Sequence, residues 1–187
     1  MNRLVIVFVT VVLSFFYFYT KEGLAQQAPD TSRVQERYSG GSFTMIVPIG
    51  STPVKVQNKT QPVGEQQMVQ NAYSFQNGGT SYRVSHCEYS NHAEGTPEEA
   101  SKTTASVVLN AGYSAKFSNS HLGTLSAVAS ELEGTTIKGR AAFIKTRLAF
   151  SDDRKHMWMA IVVASDRGSF PAAQAEEFMD SIQINSR

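Results

Sequence analysis

"KHMWMAIVVA", Lys155–Ala164, decides the fold. From Met157 to Val163 every side chain is apolar, so a strand here has no face to offer water. Strands of that kind sit in the middle of a sheet covered on both sides. The reading that follows is an α+β fold: an α/β/α sandwich, its sheet largely antiparallel and covered by helices on both faces. "AAFIKTRLAF" (Ala141–Phe150) precedes it as a second strand, joined by "SDDR" as a four-residue turn. One cover is expected after it, where Pro171 opens a helix with Ala175, Phe178, Met179 and Ile182 on one face and Glu176 and Glu177 pointing outward. "IQI" can return as a terminal strand.

The other cover is expected in "TPEEASKTTASVVLNAG". Thr96 is the N-cap, Pro97 takes the first helical position, and Glu99 completes a capping box. Ala100, Thr104, Val107, Val108 and Ala111 form the inward stripe, Glu98 and Lys102 form an i, i+4 pair, and Gly112 is read as the left-handed stop. Upstream, "MVQNAYSFQNGGTSYRVSHCEYS" reads as a hairpin about Asn77-Gly78-Gly79, with Asn-Gly supplying a type I′ turn. "GSFTMIVP" (Gly41–Pro48) is a first strand. Residues 49–65 read as an irregular connection with a short strand at Val54–Val56. "SAKFSNS" and "LSAVASELE" are read as further strands, the latter because a turn-like "GTTIKGR" follows it.

The N-terminal residues read as an export signal. Arg3 gives a positive start, Leu4–Tyr19 is an apolar run, and Gly23 and Ala25 are small residues suited to cleavage. As a helix that run reaches only about 24 Å, short of a hydrocarbon core of about 30 Å. The expected division is a signal peptide at 1–25, a flexible lead-in at 26–36 and one domain at 37–187. Residues 1–25 hold Arg3, Lys21 and Glu22. Their loss takes 17 basic and 16 acidic residues to 15 of each, and the net charge from +1 to zero. A neutral surface lacks the long-range attraction on which nucleic-acid binding depends. The sole cysteine, Cys87, rules out an internal disulfide, so stability must come from packing. Asn58-Lys59-Thr60 is a glycosylation sequon, meaningful only in a eukaryotic secretory pathway.

Chemistry, if present, should show in "YRVSHCEYSNH" (Tyr82–His92). Strand alternation sets Tyr82, Val84, His86 and Glu88 on one face and Arg83, Ser85, Cys87 and Tyr89 on the other. His86 and Glu88 can therefore share an ion with each other but not with Cys87, and His92 lies past the strand end. By the same alternation His86 cannot activate Cys87, although His121 or His156 can approach in space. The plainer reading makes Cys87 a small buried hydrophobe and His86 a hydrogen-bonded core residue. No G-x-S-x-G elbow, phosphate-cradling loop or dinucleotide fingerprint is present. Glu98/Glu99, Asp152/Asp153 and Glu176/Glu177 are read as solvated surface. Arg140, Lys145, Arg147, Arg154 and Lys155 gather about the late hairpin as a modest anion- or partner-binding patch, or as a plain wet sheet face.

Over about Tyr38–Ile184, "GSFTMIVP", "YRVSHCEYS", "VLNAGYSAKF", "RLAFSDDRKHMWMAIVV" and "AEEFMDSIQI" together resemble the PsbP-like family of small exported α/β/α proteins. Relatives usually carry an aromatic where this chain has His86 and an aspartate where it has Glu88. The resemblance brings no shared catalytic residues and implies an accessory or binding role. The expectation is thus an exported, periplasmic or extracellular, non-catalytic protein. It would bind a protein or envelope component, with no catalytic, cofactor-binding or metal-binding residue assigned, no cofactor, no nucleic acid, and membrane contact only if the N-terminal segment is uncleaved. The alternatives are a hydrolase whose site is assembled from distant residues, and an anchored structural protein.

Overall fold

The computed structural model describes residues 33–38, 41–48, 50–63 and 65–186. The expected signal peptide, and the lead-in up to residue 32, lie outside the described residues. Within them run β1 (Arg33–Tyr38), β2 (Gly41–Ile46), β3 (Thr52–Val63), β4 (Gln66–Asn77), β5 (Thr80–Tyr89), α1 (Pro97–Val108), β6 (Ser114–Leu122), β7 (Leu125–Thr135), β8 (Ala141–Phe150), β9 (His156–Ala164), α2 (Ala172–Asp180) and β10 (Gln183–Ser186).

Seven strands make one antiparallel sheet in the order β3-β4-β5-β9-β8-β7-β6, and three make a second in the order β1-β2-β10. The large sheet is two meanders, β3-β4-β5 and β6-β7-β8-β9, closed on each other at the β5–β9 seam. The doubly apolar Lys155–Ala164 stretch does sit at its centre. Its two faces open into two separate cores. On one, α1 supplies Ala100, Ala105 and Val108 against Met68, Cys87, Leu148, Met157 and Met159. On the other, Phe43 and Met45 of β2, with Phe178 and Met179 of α2, cover Tyr82, Val84, Trp158 and Val162.

That arrangement corrects the expected α/β/α sandwich. The fold is β-rich, with ten strands and only two helices, of 12 and 9 residues, among the described residues. A strand apolar on both faces requires two covers but does not say what they are made of. Here a second sheet shares one cover with a single short helix.

Several local readings hold. Thr96 caps α1: its Oγ1 accepts from the Glu99 backbone N–H, and Glu99 accepts from the Thr96 N–H at 2.8 Å. Others change. The chain is already a strand at Arg33, inside the expected lead-in, and residues 52–63 form one long edge strand rather than an irregular connection. The β4–β5 turn centres on Gly78-Gly79, with positive φ at Gly78 (54°) and not at Gly79, so Asn77 belongs to the strand and the turn follows the type II′ pattern. Helix α1 stops at Val108 with Leu109 extended, leaving Gly112 (φ 90°) to the turn before β6.

Candidate functional site

The stretch Tyr82–Tyr89 lies in β5, between β4 and β9. Pairing sets His86 directly opposite Trp158 and Glu88 opposite His156, so the two histidines are diagonal neighbours on one face. Their rings stack at 5.4 Å, and His86 Nε2 lies 3.2 Å from His156 Nδ1. The indole of Trp158 stacks on His86 at 5.1 Å with an interplanar angle of 16°, and Phe43 of β2 meets His86 edge-on at 6.1 Å. His86 is 1% and His156 6% exposed, so the pair lies within the packing of the small sheet on the large one. Burial pushes the His156 pKa below its ordinary value. His86 adds to that effect and Lys155 does so weakly, against the opposing charges of Glu88 and Asp153.

Cys87 points the other way, into the core beneath α1, opposite Met157 and fully buried. Burial pushes its thiol up to about 12, with only partial relief from Arg83. Arg83 lies on the same face, buried, its Nε donating to Ser85 Oγ at 3.0 Å; burial lowers its pKa to about 10, so it stays charged at neutral pH. The thiol and the neighbouring imidazole therefore face separate cores.

The other candidates are scattered. His92 is exposed in the loop after β5, its Nδ1 3.2 Å from Asn91 Oδ1. His121 is exposed at the end of β6, where it lines a shallow cleft of about 250 Å³ with Ser120, Arg147, Asp180 and Gln183. Among the described residues no three His, Cys, Asp or Glu side chains group as metal ligands. Glu98/Glu99 and Asp152/Asp153 are at the surface as expected.

The cationic cluster is different from either reading of it. Lys145 and Arg147 both pair with Glu176, Arg147 also with Asp180, and Lys145 also reaches Glu131 at 3.6 Å. Arg167 pairs with Glu133 at 3.1 Å and lies over the Phe143 ring at 4.4 Å. Cations and carboxylates thus join β7, β8 and α2 in a mutually neutralising network. Glu176 does not simply point outward. Burial resists its ionisation, but Lys145 and Arg147 outweigh that, and its pKa falls below the usual carboxylate value. Arg154, the only non-glycine with positive φ (57°) among the described residues, donates to the Ala93 and Gly95 carbonyls and lies over Phe150 at 4.6 Å. It ties the loop after β5 to the β8–β9 turn.

Sequence reasoning missed the His86–His156 contact and the role of Glu176. The alternation within β9 puts His156 on the face of Trp158, which was readable; the β5–β9 register that joins His156 to His86 was not.

No family model matches the chain, and no curated protein matches it. Among solved structures the chain is similar to one described as LpqN, involved in cell envelope biogenesis of Mycobacterium tuberculosis. The two share 12% identity over 89% of this chain and 99% of that one, with a TM-score of 0.48. The resemblance to PsbP-like proteins thus gains no support from a family model. No helix among the described residues is long and apolar enough to cross a membrane.

Proposed function

We propose that this chain is an exported, non-catalytic domain that acts by binding a protein or envelope component. The observation that carries the reading is the separation of its reactive groups. Cys87 is sealed under α1 with its thiol at about 12, while His86 and His156 are sealed under β2. A nucleophile needs its thiolate and a path to substrate, and Cys87 has neither. Of the cations gathered about the late hairpin, Lys145 and Arg147 are paired with Glu131, Glu176 and Asp180, and Arg154 is held by the Ala93 and Gly95 carbonyls. Export rests on the N-terminal sequence alone, and it places the domain in a periplasmic or extracellular space.

Two measurements test the reading. Mass spectrometry of the mature protein should find Gln26 as its first residue; retention of residues 1–25 would make it an anchored protein instead. Affinity capture from the native envelope or medium, followed by titration of the identified partner, should give saturable binding. Turnover of esters, amides or glycosides by the purified protein without any partner, abolished by His121→Ala or His92→Ala, would establish the hydrolase alternative.

A further inference from the structure

We propose that β6 is an open edge through which two copies of this chain pair, antiparallel about a two-fold axis at Phe117, joining their seven-stranded sheets into one. Among the described residues β6 ends that sheet on one side and β3 on the other. An edge strand offers a row of backbone donors and acceptors to any second strand, and proteins usually blunt it. Strand β3 is blunted: Pro53 and Pro62 lack an N–H, and its pairing slips between Pro53 and Lys55. The edges of the small sheet are short, six residues in β1 and four in β10. Strand β6 is neither interrupted nor short. It holds no proline, and all nine of its residues pair with β7 in one unbroken register. Its single lysine, Lys116, stands opposite Glu131 of β7.

The turn decides which backbone groups are on offer. Gly123-Thr124 is a two-residue loop, so Leu122 and Leu125 close it as a hydrogen-bonded pair. Alternation then turns the backbone of Ser114, Lys116, Ser118 and Ser120 toward β7, and that of Ala115, Phe117, Asn119 and His121 outward. The His121 carbonyl accepts from Arg147 Nη1 at 3.4 Å. Ala115, Phe117 and Asn119 are left as the run that presents both N–H and C=O at the edge. A two-fold axis at Phe117 satisfies every one of these groups: Phe117 pairs with Phe117 of the second copy, and Ala115 with its Asn119. The strand is complementary to itself in that register. Lys116 faces Ser118 of the other copy, so no like charges meet. The exposed side chains of Ser114, Ala115, Ser118 and Asn119 are small and leave room for close approach. Phe117 is half-buried against the α1 core, with Lys102 Nζ 5.4 Å from its ring, and Glu98 neutralises that lysine at 2.6 Å. Opposed across the axis, the two Phe117 side chains give up their remaining contact with water. Nor does charge hold two copies apart, since the net charge is +1 for the whole chain and zero without residues 1–25.

Sedimentation equilibrium of the mature chain, from about 1 to 500 µM, tests the proposal. A reversible monomer–dimer equilibrium in the micromolar range is expected. Asn119→Pro removes an outward N–H and leaves the β6–β7 ladder whole, so it should weaken association by at least about tenfold. Two surface variants serve if that one folds poorly. Ser118→Lys opposes Lys116 of the second copy and should weaken the dimer about fivefold, whereas Ser118→Glu meets the same lysine and should tighten it by a similar factor. Mild oxidation should link Phe117→Cys chains across the axis, and Asn119→Cys chains far less, while Cys87 stays buried. A chain that remains monomeric throughout would overturn the proposal. So would a dimer indifferent to Asn119→Pro and to both Ser118 variants, which would place the contact on another surface.

Discussion

Cys87 shows how far one side chain can be read. Alternation along β5 placed it opposite in direction to His86, and burial of a lone apolar-like thiol followed from base rates. It should resist a water-soluble thiol reagent in the native state and react at once in denaturant; labelling of the folded protein at the rate of a free thiol would contradict its burial. Cys87→Ser sets a hydroxyl among Met68, Met157 and Met159, and should lower stability by about 1–3 kcal/mol in urea unfolding, more than Cys87→Ala. Arg154→Ala removes two charged donors from the Ala93 and Gly95 carbonyls and should cost about 1–2 kcal/mol. Arg154→Gly, better suited to φ 57°, should cost less. What one residue could not disclose was its partner across a seam. His86 meets His156 only because β5 and β9 pair in one register, and the 66 residues between those strands carry no local mark of it.

Elements were legible where local chemistry punctuates them. The capping box at Thr96 and Glu99 announced α1, and Thr96→Ala should cost about 1 kcal/mol, measured as a shift in the urea midpoint at unchanged m. Strand β3 was obscured by Pro53 and Pro62, which break a central strand but are tolerated at an edge, where one side needs no N–H donor. Gly123 (φ 60°) is a close approach no sequence pattern signals: a Cβ there would lie 2.8 Å from the Ile184 backbone nitrogen. Gly123→Ala should destabilise by more than about 1 kcal/mol and loosen β10 first, seen as faster amide exchange at Gln183–Ser186. The bond between α2 and β8 should also respond to acid. The Glu176 pKa is depressed in the folded state, so its contribution is complete above the ordinary carboxylate range and lost as pH falls through the folded value. More than a third of that side chain is exposed, so Glu176→Gln should cost under about 1 kcal/mol at pH 7, and progressively less as the pH falls through and below the ordinary carboxylate range.

At the scale of the whole molecule the strand count was largely readable and the architecture was not. A doubly apolar β9 demanded two covers; that β1, β2 and β10 would assemble into one of them depended on joining the chain's two distant ends. Two hairpin meanders can form from near neighbours, but the β5–β9 seam closes across the whole middle of the chain. Folding should therefore fall in the millisecond-to-second range of strand-rich domains, with Trp158 emission, sited on the seam, completing after far-ultraviolet ellipticity rather than before it. The small sheet carries a mechanical consequence. Strands β1 and β10 flank β2, with Arg33 opposite Ile46 at one end and Ser186 opposite Gly41 at the other. A pull applied between those two residues drags the outer strands lengthwise past the middle one. It loads their ladder of hydrogen bonds in shear, all together, instead of unzipping them singly. Tension between Arg33 and Ser186 would load β1 and β10 against β2 before it reached the strands of the larger sheet.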